Sequence, residues 1–209
     1  PKNLLQRARD MQDVQGIDVV KMVWRARSIR DNIEAFEILH LRQQPMIVMC
    51  VGEYGLMSRV LAPKFGGFAT FASAQGSTPT APGQISVQEL ITLYGFHTIN
   101  QNTKVYGVIG DNVEHSASPT FHNAAFQAAG ANSVYLPFLI PKGWEHLKAS
   151  VGELQNYAPL HFAGASVTIP HKEEMMKLVS SCDHITTKVG ATNTITQQDD
   201  VFVATNSDV

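Results

Sequence analysis

Cysteine is scarce in this sequence: two thiols, Cys50 and Cys182, lie far apart in apolar surroundings and form no C-x-x-C pair. That excludes a disulfide framework, and buried free thiols in a reducing compartment are expected. Long hydrophobic runs are missing as well. The longest, Met46 to Val51, is a strand's length and far too short to span a bilayer. Charge of one sign is also lacking, since 16 Lys and Arg stand against 18 Asp and Glu for a net charge of −2. No basic cluster is interleaved with aromatics, so neither nucleic acid nor a membrane is expected as a partner. His115, His122, His146, His161, His171 and His184 show no H-E-x-x-H or paired Cys/His spacing, and no metal is expected. Gly107 and Gly110 follow a strand-like run, but G-x-x-G is not the dinucleotide fingerprint G-x-G-x-x-G, and no other glycine-rich turn opens a helix. No signal or transit segment is visible, so a cytoplasmic location, or a plastid one for a plant source, is expected.

What is present is an ordinary globular composition, 44% hydrophobic over 209 residues, enough for one large domain or two small ones. Leu4, Leu5, Ala8 and Met11 mark a short helix that Gly16 breaks. Ile17 to Val23 reads as a strand buried on both faces, as in a parallel sheet. A helix through Ile29, Ile33, Phe36 and Leu39, a strand at Met46 to Val51, a short helix near Leu56 to Leu61 and a strand at Phe68 to Ser73 come next. Ser86 and Glu89 make a capping box for a helix through Leu90 and Leu93. These units suggest the last third of a (β/α)8 TIM barrel. The polar stretch Gly95 to Lys104 separates this pattern, residues 1–97, from a second over 104–209. There strands at Val105 to Ile109, Ser133 to Leu139 and Ala165 to Ile169 alternate with helices, which predicts a parallel-sheet α/β/α domain. The start at Pro1 and the stop at Val209 after a strand-like run suggest a piece of a longer polypeptide.

Several residues break local rules or sit where chemistry is convenient. Lys21 interrupts an apolar strand, where desolvation prepares an amine for Schiff-base chemistry; an edge strand with Lys21 facing water is the alternative. Thr168 and Pro170 read as the N-cap and first residue of a helix carrying Met175, Leu178, Val179 and Cys182 on one face. Lys172 would oppose the dipole of that helix, which marks either a site or a solvated surface lysine. Ser118 before Pro119 predicts a helix from Pro119 to Ala129. Ser116 and Ser118 then stand beside free backbone donors suited to a carboxylate, or serve as a loop serine and a plain cap. Asn193 and Asp208 read equally as a turn cap and an exposed carboxylate.

The blocks HSASPTFHNAAF (115–126), GASVTIPHK (164–172) and GATNT (190–194) resemble the substrate-binding domain of shikimate dehydrogenase. The resemblance implies a polyhydroxylated cyclohexene acid held at the strand ends. Its carboxylate would lie on Ser116 and Ser118, its ring hydroxyls on Thr168 and Asn193, with Lys172 as acid/base group at the oxidised carbon. ATNSDV is similar to the family's N-T-D run, which makes Asp208 the partner of Lys172. Ser166 replaces the usual asparagine and Ser207 the usual threonine. Upstream, DVVK (18–21), GEYGLMSRVLAPKFGGFATFAS (52–73) and TAPGQISVQEL (80–90) resemble the last third of type I 3-dehydroquinate dehydratase. That implies Lys21 as the imine-forming lysine, Arg59 as a carboxylate fork, and Thr80 and Gln84 on a loop closing over the substrate. Thr80 replaces a serine, Trp24, Arg25 and Arg27 replace small and polar residues, and neither His40 nor His97 matches the family's general-base motif.

Together the resemblances imply 3-dehydroquinate, 3-dehydroshikimate and shikimate as small-molecule substrates. They imply NADP as hydride carrier, bound by a Rossmann domain missing from this chain, which by itself is expected to be inactive. A quinate dehydrogenase, or a non-catalytic sensor of quinate or shikimate, would use the same domains.

Overall fold

The structure is a computed structural model that describes residues 3–74, 76, 83–199 and 201–208. It divides into two compact units, Pro1–Asn102 and Thr103–Val209.

In the first unit α1 (Leu4–Gln12) begins where the Asn3 side chain accepts from the Gln6 amide at 3.2 Å. Strands β1 (Val20–Arg25) and β2 (Met46–Val51) pair in parallel across α2 (Asp31–His40). Val20, Met22 and Trp24 of β1, with Met46, Val48 and Cys50 of β2, pack on Leu4, Ala8, Ala35, Ile38 and Leu39. The strand expected to be buried on both faces instead alternates, leaving Lys21, Val23 and Arg25 exposed. Among the described residues, α1 and α2 pack on the face of β1 that carries Val20, Met22 and Trp24.

Asn32, fully buried, sets the position of the next helix. Its amide donates to Ile29 O and Tyr54 O at 2.8 Å each and its carbonyl accepts from Ser58 N at 3.0 Å, which seats α3 (Leu56–Val60) against the end of β2. The expected strand at Phe68 to Ser73 forms no ladder. Phe68 N donates to Met46 O at 2.8 Å, but Phe71 O is taken by Arg59, and Ser73 meets only Ser86 in an isolated bridge. The Ser86–Glu89 capping box is present, with Glu89 N on Ser86 Oγ at 3.1 Å and Ser86 N on Glu89 Oε2 at 2.9 Å. The turn after it is wider than an α-helix, since Tyr94 N donates to Glu89 O.

The second unit is a six-stranded sheet in the order β4-β3-β5-β7-β8-β6. Its strands are β3 (Lys104–Gly110), β4 (Ser133–Leu139), β5 (Phe162–Val167), β6 (Ser181–Cys182), β7 (Thr194–Gln198) and β8 (Val201–Thr205). Helices α4 (Ser118–Ala128), α5 (Trp144–Asn156) and α6 (His184–Val189) connect them. β4, β3 and β5 are parallel as expected; β7 then runs antiparallel to β5 and forms a hairpin with β8. Asp199 at φ 44° supplies the left-handed residue that such a tight hairpin favours.

Gly107 and Gly110 are glycines for packing. A Cβ on Gly107 would lie 2.3 Å from Leu136 O and from the Phe138 ring, and one on Gly110 would lie 2.6 Å from the Thr168 methyl.

Two helix expectations are corrected. Ser118 is the first residue of α4, and Ala117 occupies the cap position without a side-chain bond. No α-helix starts at Pro170, whose bond to Ile169 is cis. The Lys172 carbonyl accepts from Thr192 N at 3.0 Å instead of from a residue one turn on, so the segment tightens into a 3₁₀ turn, Glu174–Lys177.

β4 is an edge strand, and Asn123 of α4 closes its free side. The Asn123 amide donates to Tyr135 O at 2.9 Å and its carbonyl accepts from Tyr135 N at 2.8 Å. Asn123→Ala would strand two buried backbone groups, so we expect a loss of about 2–4 kcal/mol in urea unfolding of this unit. An unchanged midpoint would show that the edge is held by other means.

Candidate functional site

Parallel pairing puts the carboxyl ends of β3 and β5 on one edge of the sheet. The β7–β8 hairpin brings two more segments there, because β8 runs parallel to β5 and β7 begins where β8 ends. The loop after β3 leads to Ser116 and Ser118, where Ser118 N donates to Ser116 Oγ at 3.2 Å. Thr168, just past β5, bonds through its backbone, its N–H to Ile109 O at 2.9 Å and its carbonyl from His171 N at 3.0 Å.

Lys172 reaches the same edge and its ammonium pairs with the Asp208 carboxylate beyond β8. Both side chains remain open to solvent, at 32% and 52% exposure. The Lys172 hydrogen bond, then that of Asn193, holds the Asp208 carboxyl below its ordinary range. Asp208 is thus an anion at neutral pH, and its contact fixes the direction of the Lys172 side chain.

The structure therefore gathers Thr168, Lys172, Asn193 and Asp208 on one edge, with the loop bearing Ser116 and Ser118 joined to it through Gly110. Two residues that sequence reasoning gave no role support them. His171 is completely buried, and its Nε2 bonds Ile140 O at 2.8 Å, pinning the loop before Lys172 to the end of β4. Tyr135, stacked on His122 at 4.3 Å, donates its hydroxyl to Ser166 Oγ at 2.8 Å. Burial raises the Tyr135 hydroxyl and lowers the His122 imidazole, keeping both neutral. His171 lay inside a recognised motif, but nothing in its spacing signalled burial.

In the first unit Lys21 and Arg59 converge on Phe71. The Lys21 ammonium lies 3.8 Å from the centroid of the Phe71 ring, while Arg59 Nη1 donates to Phe71 O at 2.8 Å and meets Met49 Sδ at 3.4 Å. Arg59 is 2% exposed, its Nε has no hydrogen-bond partner, and desolvation lowers its guanidinium from its ordinary value. Lys21 is exposed, so of its two readings the structure has the one facing water. Gln84 is half-buried beside Gly83, whose Cβ position lies 2.1 Å from Gly52 O, so this stretch rests on the loop after β2. Thr80 lies outside the described residues. Among the described residues no group of three His, Cys, Asp or Glu could hold a metal, and no helix is long and apolar enough to cross a membrane.

Residues 1–101 match the family of type I 3-dehydroquinases, and residues 108–195 match the shikimate dehydrogenase substrate binding domain. Each unit thus resembles one of these two families. The bifunctional 3-dehydroquinate dehydratase/shikimate dehydrogenase of Arabidopsis thaliana chloroplasts is 42% identical over 86% of this chain and 29% of its own length. The shikimate biosynthesis protein AroDE of Chlamydia pneumoniae is 26% identical over 91% of this chain and 39% of its own. A shikimate dehydrogenase (NADP(+)) of a Nostoc species is 43% identical over 53% of this chain and 37% of its own. The chain thus spans well under half the length of these relatives. In the unit similar to 3-dehydroquinases the exposed face of β1 carries Lys21, and in the unit similar to shikimate dehydrogenases the strand-end edge carries Lys172.

Proposed function

We propose that this chain is part of a bifunctional polypeptide that dehydrates 3-dehydroquinate and reduces 3-dehydroshikimate to shikimate. Residues 1–97 form the last third of a type I dehydratase barrel, and residues 104–209 form the shikimate-binding domain. The observation that carries the reading is the Lys172–Asp208 pair at the carboxyl edge of the sheet, where α/β domains bind ligands. Ser116 and Ser118 take the substrate carboxylate at the start of α4. The Thr168 hydroxyl, left unused by the backbone bonds of that residue, meets a ring hydroxyl. Lys172 then gives or takes the proton of the oxygen on the carbon that is reduced or oxidised, and Asp208 fixes its direction. Reduced NADP would supply the hydride. Gly107 and Gly110 are closed by Phe138 and Thr168, so this glycine pair offers it no cradle.

In the first unit Lys21 would condense with the ketone of 3-dehydroquinate, the imine acidifying the neighbouring carbon for loss of water. Arg59, a buried guanidinium held through Nη1 by a backbone carbonyl, would grip the substrate carboxylate.

Calorimetric titration of shikimate into the chain tests the second site directly. Ser118→Ala should weaken binding about tenfold, the loss of roughly 1.4 kcal/mol that one hydrogen bond to a carboxylate represents. Equal affinity of the two forms would place the ligand elsewhere.

A further inference from the structure

Side chains two apart on a strand share a face, and those four apart on a helix lie one above the other. Thr168 therefore stands one step beyond Ser166 on the same face of the sheet, because its N–H still bonds Ile109 O and carries the strand geometry past β5. Ser118 in turn stands one turn before His122 on α4. Both columns belong to the face that α4 covers. Tyr106 of β3 meets Phe126 of α4 with ring centroids 5.4 Å apart, and the register sets Tyr106 beside Tyr135 and Val108 beside Ser166. Gly110 continues that face, and the Thr168 methyl closes over it.

Tyr135 bridges the two columns. Its ring stacks on His122 with centroids 4.3 Å apart and planes within 15°, and its hydroxyl reaches across β3 to Ser166 Oγ at 2.8 Å. Which hydroxyl donates follows from burial. Tyr135 is 3% exposed and burial keeps its phenol protonated, so its hydrogen needs an acceptor inside the protein. Ser166 is half-buried, and once its oxygen has accepted, its own hydrogen is left to point outward. The backbone of Ser166 is paired with Val108 on one side and Thr194 on the other, so the hydroxyl is the part of this residue that can turn.

We propose that Tyr135 is a positioning residue for ring recognition: by donating to Ser166 across β3, it directs the Ser166 hydroxyl hydrogen to an oxygen of a ring lying between Ser118 and Thr168. This role rests on the reading of the edge as a shikimate site and adds a floor to it. A serine without that contact would spread its hydrogen over the staggered positions open to it. The asparagine that the resembling family usually has in place of Ser166 carries its donors in fixed directions on a planar amide, whereas the shorter serine takes its direction from Tyr135.

The test has two arms on the full chain. The first needs no ligand: proton NMR at low temperature follows the Tyr135 hydroxyl proton and its nuclear Overhauser effect to the Ser166 methylene. The wild type should show both, and Ser166→Ala should speed exchange of the hydroxyl proton until its signal is lost. A wild type without that signal, or a signal unchanged in Ser166→Ala, would overturn the proposal.

In the second arm, shikimate affinity is measured by calorimetry for Tyr135→Phe, Ser166→Ala and the double variant. Tyr135→Phe keeps the ring on His122 and the backbone bonds to Asn123, so the sheet edge stays closed. Each single change should weaken binding by about three- to tenfold, the effect of one hydrogen bond. A residue acting through Ser166 adds nothing once that hydroxyl is gone, so the double variant should bind like Ser166→Ala alone. In a Ser166→Asn background, Tyr135→Phe should have no effect. Losses that multiply, or an equal effect of Tyr135→Phe in the serine and asparagine backgrounds, would overturn the proposal. Absence of shikimate binding in the wild type would count against the proposed function, and the hydroxyl signal would still decide whether Tyr135 orients Ser166.

Discussion

Replacing Lys172 by alanine in the full polypeptide should lower NADP-dependent oxidation of shikimate by about 10²- to 10⁴-fold, the range in which a positioned acid/base group acts. The loss should fall on kcat, because the carboxylate site at Ser116 and Ser118 and the hydroxyl of Thr168 remain in place. Asp208→Asn should reproduce much of that loss, since it keeps the shape but removes the charge that directs the ammonium. The sign of the pH effect comes from the depressed Asp208 carboxyl. The ion pair is complete above the ordinary aspartate value and is lost as pH falls through the lowered one. Activity of the wild type should therefore hold across mildly acidic pH, where a free carboxylate would already be titrating. Turnover that survives Lys172→Ala would remove the dehydrogenase mechanism. Tight binding of shikimate or quinate without turnover in the wild type would turn the same domains into a sensor.

The parts of this architecture legible in sequence were those set by local pattern. The run Met46 to Val51 is a strand with the bounds read from it, and Val105 to Ile109 lies within β3, which takes in both glycines of the G-x-x-G pair instead of ending before them. What failed was set by distant partners. Ile17 to Val23 read as doubly buried because its residues are apolar, whereas burial depends on what packs on each face, and among the described residues α1 and α2 cover the face of Val20, Met22 and Trp24. The run after Pro170 has helical spacing, but Thr192 takes the Lys172 carbonyl across the sheet edge and prevents the turn from propagating. Tertiary hydrogen bonds of this kind outweigh the few tenths of a kcal/mol per residue that separate helix propensities. The hairpin of β7 and β8 was missed because Asp199 and Asp200 carry a weaker turn signal than Asn-Gly or Asp-Gly.

The candidate site shows the same division. Recognised motifs named Thr168, Lys172, Asn193 and Asp208, but not that the hairpin would carry Asn193 and Asp208 to one edge. In the first unit the motifs named Lys21 and Arg59 without indicating Phe71, the residue on which both converge. Phe71 was read as one residue of a strand, and its ring and carbonyl instead face two cations.

That convergence frames the remaining large effect. Borohydride added to the full polypeptide with 3-dehydroquinate should fix a covalent adduct on Lys21, because the amine and the ketone lose water to form C=N and reduction turns it into a stable secondary amine. Mass spectrometry of the peptide containing Lys21 would locate the adduct. Lys21→Ala should abolish the adduct and lower dehydration by on the order of 10⁴- to 10⁶-fold, as removal of a covalent nucleophile does. Arg59→Ala should act differently, weakening substrate capture while leaving the amine able to react at high ketone concentration. The guanidinium is 2% exposed and fixed to the Phe71 carbonyl, so the anion would be met by a group that is already in place. A desolvated cation of that kind attracts a carboxylate more strongly than a surface arginine can. The Lys21 amine, by contrast, is exposed over the Phe71 ring, and its reactivity depends on what is excluded from that face when substrate binds. An adduct formed by the full polypeptide but not by these 209 residues would show that Lys21, Phe71 and Arg59 do not suffice for that exclusion. An adduct formed by both would show that Lys21, Phe71 and Arg59 suffice to make the imine.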